Sequence, residues 1–298
     1  MKVRAGVDIG GTKVRIGLVG ETGELLLLVD KIAMSKFERG DELMLVIANT
    51  IKAQMAKYPD YELIGVGVGA PGPLNDTHDS VMETPNTPVI QNYPLVARLQ
   101  AHFDVTVKMN NDANVFVLGE AISGAGKGEA FVYGITLGTG YGHGFVWDGR
   151  ILSGAHGTAT EYGLAPYNDG TFEDYACGPA LERNYESISG ESRTGLQIFK
   201  LAQSGNANAL AAWSLLGRSV GHSLVYVTHL LDPGIIVVGG SLAAGFEFFI
   251  DSLREVVDAH LFENQKGKLR IERAELGDAA PVIGSALLIS QYPTLMVI

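Results

Sequence analysis

The sequence contains a single cysteine, Cys177, among 298 residues. One thiol excludes an internal disulfide framework and fits a reducing cytoplasm. Long apolar runs are missing as well: Leu25–Val29 is far too short to span a membrane, and the charged start at Met1-Lys2 has no signal-peptide core. We therefore expect a cytoplasmic protein with no membrane partner.

Positive charge is scarce, with 22 Lys and Arg against 33 Asp and Glu and a net charge of −11. A nucleic-acid-binding protein needs a basic patch, so we expect no nucleic-acid partner. There is no low-complexity run, and 46% hydrophobic with 18% charged residues describe a globular chain long enough for two domains. The acidic balance still permits an anionic ligand, because a glycine turn and a few cations can bind phosphate.

Glycine is abundant, and its 38 residues gather at predicted turns. Gly10-Gly11 separates two apolar strands within Val3–Val19, which predicts a β-hairpin. Thr12 and Lys13 supply a hydroxyl and a cation, groups that hold phosphate oxygens, and Asp8 supplies a carboxylate that a bound metal would stabilise. On this stretch alone, an ordinary hairpin with Lys13 in water is the alternative.

A second stretch, Phe131–Ile151, repeats the pattern around the turn Gly138-Thr139-Gly140. Setting Asp8 beside Thr136 aligns Gly10 with Gly138, so the chain carries an internal repeat about one domain long. Two such hairpins facing each other across a cleft would bind a polyphosphate from both sides. This pattern resembles the superfamily of sugar kinases, actin and heat-shock chaperone ATPases, whose two halves each carry such a hairpin.

Strands and helices alternate along the rest of the chain. Apolar spacing predicts a helix at Asp41–Lys57 and a long one at Asn206–Leu231, and buried strands at Tyr61–Ala70 and Gly234–Val238. Such alternation implies an α/β fold in which helices cover the sheets and ligands bind at the carboxyl ends of strands.

Within the α/β class, the resemblance implies a two-lobed, actin-like ATPase (ribonuclease H-like) fold with a duplicated hairpin and βα core. We expect a small lobe at residues 1–114 and 278–298, which carries the first hairpin and the sugar-side loops. A large lobe at residues 115–277 would carry the second hairpin, the sugar loop and the adenosine site.

The chemistry is expected at Asn110–Asn114, where a predicted strand meets a predicted helix. Phosphoryl transfer requires mainly positioning and charge neutralisation, so Asp112 is a candidate general base for a substrate hydroxyl that attacks a phosphoryl group. Asn111 would hold a neighbouring hydroxyl by donating and accepting hydrogen bonds. An Asp at such a junction can also serve simply as the helix N-cap.

Six short motifs, which occur in the family's order, make the sequence closely similar to the ROK family of bacterial sugar kinases over nearly its whole length. They are Asp8-Ile9-Gly10-Gly11-Thr12-Lys13, Ala70-Pro71-Gly72, Thr84-Pro85-Asn86, Asn111-Asp112-Ala113-Asn114, Gly138-Thr139-Gly140-Tyr141-Gly142 and Val238-Gly239-Gly240. The stretch from Asp278 to Ala286 resembles the family's closing helix.

The resemblance implies ATP-dependent phosphorylation of a hexose or N-acetylhexosamine, by analogy at the C6 hydroxyl, with Mg²⁺ and in a homodimer. It makes Asp112 the catalytic base. The contacts that it implies are Gly72, Asn86, Asn111, Asp112, Glu161 and Glu173 for the sugar; Asp8 (with Mg²⁺), Gly10, Gly11, Thr12, Lys13, Gly138, Thr139 and Gly140 for the ATP phosphates; and Gly239, Gly240 and Ser241 for the adenosine.

The sequence departs from the ROK pattern at Glu161-Tyr162-Gly163-Leu164, where many members have Glu-X-Gly-His followed by a cysteine-rich zinc knuckle. Leu164 replaces that His, and one cysteine cannot build a Cys₃His site. We therefore predict no structural zinc. By resemblance Glu173 is the Glu that closes the knuckle and contacts the sugar, but Glu161 and Glu173 could each be a buried carboxylate that caps a turn.

Three alternatives have distinct signatures. A repressor of the same family would need an N-terminal helix-turn-helix, for which a hairpin beginning at Val3 leaves no room. A chaperone-like or acetate-kinase-like ATPase should lack the Asn111-Asp112 motif, and a non-catalytic sugar sensor should lose the base or the phosphate residues. The identity of the sugar and the roles of His143 and His156 are not specified by the sequence, because hexoses differ by one hydroxyl or an acetamido group.

Overall fold

The structure is a computed structural model that describes residues 1–84 and 87–291. The predicted sugar contact Asn86 lies outside the described residues. Within these ranges, no helix combines the length and the apolar character that crossing a membrane requires.

The described strands and helices alternate as the sequence predicts. The strands are β1 (Lys2–Ile9), β2 (Lys13–Gly20), β3 (Leu25–Leu28), β4 (Ile32–Ala33), β5 (Glu62–Ala70), β6 (Val107–Asn111), β7 (Phe131–Leu137), β8 (Tyr141–Trp147), β9 (Arg150–Ile151), β10 (Pro166–Tyr167), β11 (Gly170–Thr171), β12 (Ile235–Gly239) and β13 (Arg270–Arg273). The α-helices are α1 (Gly40–Lys57), α2 (Leu95–Gln100), α3 (Asp112–Ser123), α4 (Phe172–Tyr175), α5 (Gly178–Ser189), α6 (Gly195–Gln203), α7 (Ala207–Leu231), α8 (Phe246–Asp258) and α9 (Ala280–Leu287).

The chain divides into two compact units. The first contains Met1–Gly128, Gly144–Ala159 and the chain from Glu275 onward, and the second contains Glu129–His143 and Thr160–Ala274. By this division α3 belongs to the first unit, so the units are drawn differently from the lobes expected from the sequence, and those lobe boundaries stay a prediction.

The first unit is built on a sheet of order β3-β2-β1-β5-β6, with β4 paired to β2. β1 and β2 form the first hairpin, in which Asp8 lies opposite Arg15, and β5 and β6 run parallel to β1 and to each other. Apolar side chains such as Val7, Ile16 and Val68 are fully or almost fully buried between this sheet and its helices. The parallel strands therefore end at one edge of the sheet.

Helices α3 and α9 cross at very close range in this unit. A Cβ atom on Gly284 would lie 1.7 Å from the carbonyl oxygen of Val115, and one on Gly119 would lie 2.1 Å from that of Ala280. Only glycine permits backbones to approach this closely. The crossing holds α3, whose first residue is Asp112, against the C-terminal part of the chain.

The second sheet has the order β13-β12-β7-β8-β9 and includes the second predicted hairpin. β12 runs parallel to both β7 and β13. The long predicted helix is also present as α7, and the Asn206 side chain caps it by accepting a 3.0 Å hydrogen bond from the backbone N–H of Ala209. The mixed α/β fold predicted from alternation and the repeated hairpin is confirmed.

Candidate active site

The first hairpin ends in a tight turn at the motif that begins with Asp8. The backbone N–H of Gly10 donates to the Lys13 carbonyl at 2.9 Å, and the Thr12 carbonyl accepts from the N–H of Met34 at 3.0 Å. Desolvation raises the pKa of the Asp8 carboxyl to about 6, although the nearby charges of Arg15 and Lys13 oppose this rise. The turn thus holds one strongly desolvated carboxylate beside two cations.

The neighbouring strands bring the predicted sugar-side residues of the first unit together. β5 and β6 pair in parallel with Ala70 opposite Asn111, so Gly72 and Asp112 follow the ends of adjacent strands. Asn111 is the N-cap of α3, and its side-chain oxygen accepts from the N–H of Ala113 at 2.9 Å. Asp112 is the first residue of α3 and not its cap, which differs from the alternative considered from the sequence.

Buried amides fix this strand–helix junction. The side-chain oxygen of Asn110 accepts from the backbone N–H of Asn111 at 2.8 Å and from the side-chain amide of Asn114 at 3.0 Å. The carboxylate of Asp112 accepts from the N–H of Ala113 at 2.8 Å. Both Asn111 and Asp112 remain half-buried, so a ligand can reach their side chains.

In the second unit, the turn of the second hairpin lies against the N-terminus of α5. The N–H of Gly138 donates to the Gly140 carbonyl at 3.0 Å, and the N–H of Gly178 donates to the Gly138 carbonyl at 2.7 Å. Exposed backbone N–H groups at a helix N-terminus attract anions. The turn and the start of α5 therefore form one wall suited to phosphate.

A cavity of about 490 Å³ opens beside this wall. The predicted residues Gly138, Thr139 and Ser241 line it, together with Gly178, Pro179, Glu182, Gly195, Leu196, Phe199, Trp213, Leu242, Ala244 and Gly245. Its apolar rings and aliphatic side chains suit a flat heterocyclic base, and its glycines suit phosphate groups. Gly240 turns the chain at the end of β12 with φ 83°, a conformation that glycine adopts without strain.

The second unit holds the two candidate sugar carboxylates, Glu161 and Glu173. Desolvation and, to a smaller extent, the charge of Glu173 raise the pKa of Glu161. Glu173 accepts a 2.8 Å hydrogen bond from the backbone N–H of Tyr141, the first residue after the turn of the second hairpin. A carboxylate of the predicted sugar loop therefore also contacts the predicted phosphate hairpin.

His143 is buried in the second unit rather than facing phosphate or water. Its Nδ1 atom lies 2.8 Å from the hydroxyl of Tyr133, and burial lowers the pKa of the ring to about 3. Leu164, at the position of the family's His, is 62% exposed on a short 3-10 turn. His156 is exposed in the first unit.

Asp8 is the candidate ligand for a metal ion. Among residues 1–84 and 87–291, no group of three or more His, Cys, Asp or Glu side chains is arranged to hold a metal ion. The desolvated Asp8 carboxylate is nevertheless chemically suited to Mg²⁺, which commonly takes one or two carboxylates and completes its shell with phosphate oxygens and water. The absence of structural zinc stays a prediction.

Comparison with known proteins identifies the family. The model of the ROK family matches residues 4–292. The chain belongs to the ROK family. It is 31% identical over 303 residues to an N-acetyl-D-glucosamine kinase from Photobacterium profundum, covering 95% of this chain and 98% of the relative. It is 28% identical over 310 residues to a glucokinase from Thermotoga maritima, covering 96% of both chains.

Among solved structures, this ROK protein matches a ROK family glucokinase from Streptomyces griseus in complex with glucose and AMPPNP. The TM-score is 0.77 at 28% identity, and the match covers 96% of this chain and 98% of the other. The resemblance inferred from the six motifs is therefore confirmed, as is the actin-like architecture of the ROK sugar kinases.

Within the ROK protein, the predicted site residues fall into two groups. The first unit holds Asp8, the first glycine turn, Gly72, Asn111 and Asp112, and the second unit holds the second glycine turn, Glu161, Glu173 and Ser241. The cavity residues Leu196, Phe199 and Trp213 were not predicted, because apolar residues at helical spacing look the same whether they face a core or a ligand.

Proposed function

We propose that this ROK protein is an ATP-dependent sugar kinase that transfers a phosphoryl group to the C6 hydroxyl of a hexose or N-acetylhexosamine. The observation that carries the proposal is the junction at the end of β6, where Asn111 and Asp112 are held half-exposed by buried amides. The glucokinase and N-acetylglucosamine kinase relatives support the same class of reaction.

In this proposal Asp112 is the general base. Its carboxylate accepts the proton of the sugar hydroxyl while that oxygen attacks the terminal phosphorus of ATP, and ADP leaves. Asn111 keeps its side-chain amide N–H₂ for the sugar, because its oxygen already caps α3. Gly72, Asn86, Glu161 and Glu173 would complete the sugar contacts.

The ATP phosphates would lie on the two glycine turns, with Asp8, Thr12 and Lys13 on the first hairpin and Gly138, Thr139 and Gly140 on the second. The apolar cavity beside Ser241 would take the adenosine. Mg²⁺ bound near Asp8 would supply neutralisation of phosphate charge. The AMPPNP complex of the Streptomyces griseus glucokinase supports ATP as the donor.

The test is ADP release with Mg-ATP across a panel of hexoses and N-acetylhexosamines. One sugar should stimulate release well above hydrolysis by water, and its 6-deoxy analogue should bind but not stimulate release. Phosphorus NMR of the product would then identify the phosphorylated hydroxyl. Stimulation by the 6-deoxy analogue would refute C6 as the acceptor, and no stimulation by any sugar would favour a sensor or an ATPase with another acceptor.

We also propose that the protein forms a homodimer through α7. Its compartment would be the cytoplasm, where the buried free thiol of Cys177 would stay reduced. Leu230 and Tyr226 on α7 are 76% and 56% exposed, and Phe262, whose ring contacts that of His229 on α7, is 62% exposed. Aromatic and aliphatic side chains in one exposed patch are typical of protein interfaces. Light scattering should give a dimer for the parent and a monomer for Tyr226→Asp/Leu230→Asp; a monomeric parent would refute it.

A further inference from the structure

Three cations converge on one carboxylate at the base of the first hairpin. Lys31 lies 3.4 Å from the Asp278 carboxylate and Lys13 lies 3.9 Å from it, and the Arg15 guanidinium forms an ion pair with the same group. Arg15 is 2% exposed, whereas Lys13, Lys31 and Asp278 are 41%, 57% and 59% exposed. The guanidinium of Arg15 is therefore buried, while the ammonium groups of Lys13 and Lys31 are accessible to solvent.

Strand pairing explains this convergence. Lys13 and Arg15 are two residues apart on β2, so their side chains emerge on the same face of the sheet. Lys31 directly precedes β4, in which Ala33 pairs with Lys13. Asp278 lies in the short 3-10 turn Gly277–Ala279, which leads directly into α9, and α9 packs on β1 and β2.

Positive charge exceeds negative charge at this cluster. Three cations surround the Asp278 carboxylate, and among the described residues the only other carboxylate that Arg15 and Lys13 influence directly in this turn is Asp8. The charges of Arg15 and Lys13 lower the pKa of Lys31. The cations therefore repel one another, and a further anion would relieve that repulsion. Lysine and arginine together are the side chains that bind phosphate oxygens most often.

We propose that Lys13, Arg15 and Lys31 form a phosphate site and that Asp278 is its internal counterion, which an incoming phosphate displaces. Lys31 supplies a direct contact, and Asp278 sets the affinity by competing for the same cations. The ligand is a linear phosphate anhydride, either the phosphates of a nucleotide or a free inorganic polyphosphate. The inference extends, and rests on, the phosphate role proposed for the first hairpin.

The test is binding of inorganic tripolyphosphate to the full chain by calorimetry, without sugar and without turnover. Lys31→Ala should weaken binding by about tenfold through loss of a charged hydrogen bond. Asp278→Asn, which keeps the shape and removes the charge, should tighten it by about tenfold. The control is Lys36→Ala, an exposed lysine of the same segment, which should leave the affinity unchanged.

The sign of the Asp278→Asn effect decides the role of Asp278. If Asp278 only ties α9 to the hairpin, the variant will bind tripolyphosphate more weakly or equally, which overturns the counterion assignment. The exposed Lys31→Glu variant should abolish binding and does not depend on how well Asp278→Asn folds. Equal affinities for Lys31→Ala and Lys36→Ala would overturn the phosphate site.

Parallel titrations with ATP identify the source of the phosphate. If Lys31→Ala weakens ATP and tripolyphosphate alike, the site serves the nucleotide; if it weakens only tripolyphosphate, the site serves a free inorganic anion. If it weakens neither, the inference is wrong. Because none of these measurements requires phosphorylation of a sugar, their failure is distinguishable from failure of the kinase proposal.

Discussion

The Glu173 carboxylate accepts a 2.8 Å hydrogen bond from the backbone N–H of Tyr141. The bond connects α4, which carries the candidate sugar contact Glu173, to the turn that carries the candidate phosphate contacts. A Cβ on Gly140 would lie only 2.6 Å from the same carboxylate, so the turn and the side chain are in direct contact. A substitution at Glu173 should therefore change the binding of both the sugar and ATP.

Glu173→Gln should raise the KM for sugar and the KM for ATP, each by about tenfold, because a charged acceptor of about 1.5–3 kcal/mol becomes a neutral one. Steady-state kinetics with each substrate varied in turn measure both constants. Glu186→Gln, an exposed residue on α5, is the matched control and should behave like the parent. An increase confined to one substrate would refute the shared role.

Acid should destabilise the protein through His143. Its pKa falls from 6.5 to about 3 in the folded state, so below pH 6.5 the unfolded chain binds a proton that the folded chain excludes. The free energy of unfolding should therefore fall as the pH drops from 6.5 towards 3. By pH 5 the burial of this one ring should have lowered it by about 2 kcal/mol.

Urea denaturation at pH 7 and pH 5 measures this contribution. His143→Gln should lose less stability between the two pH values than the parent, and His156→Gln, which alters an exposed histidine, should match the parent. If the parent and His143→Gln show the same pH dependence, the ring is not held neutral by burial.

The crossing of α3 and α9 should be intolerant of a single methyl group. Gly119→Ala would place its Cβ 2.1 Å from a backbone oxygen, and we expect a loss of about 3 kcal/mol in the free energy of unfolding. Gly190→Ala is the comparison, since no atom lies within 4 Å and only its φ of 74° opposes the change, at about 1 kcal/mol. Equal losses in urea denaturation would show that the crossing can relax.

The sequence was most informative where function depends on local backbone. The Gly10-Gly11 and Gly138-Thr139-Gly140 turns predicted both hairpins, and the polar Asn111-Asp112 pair after an apolar strand predicted the strand–helix junction, because each signal lies within a few residues. Asp278 is 247 residues from Lys31 in the chain, so no local pattern predicts their ion pair. The contact between Glu173 and Tyr141 likewise depends on tertiary packing.

The burial of single side chains could not be predicted from the sequence. The position of His143 beside a glycine turn leaves its role open between a phosphate contact and exposure to water, yet alternation along β8 directs its side chain among Tyr133, Tyr141 and Tyr162. The apolar spacing around Leu196, Phe199 and Trp213 predicts helices, but it does not indicate which side chains line a cavity.

The central claim, that Asp112 is the catalytic base, is tested most directly by Asp112→Asn with the best sugar of the panel. We expect ADP release to fall about a thousandfold while sugar binding by calorimetry stays within about threefold of the parent, since an amide keeps the shape but cannot accept the proton. Asp104→Asn, at an exposed aspartate of the same unit, should retain full activity. An Asp112→Asn variant that is as active as the parent would contradict the account.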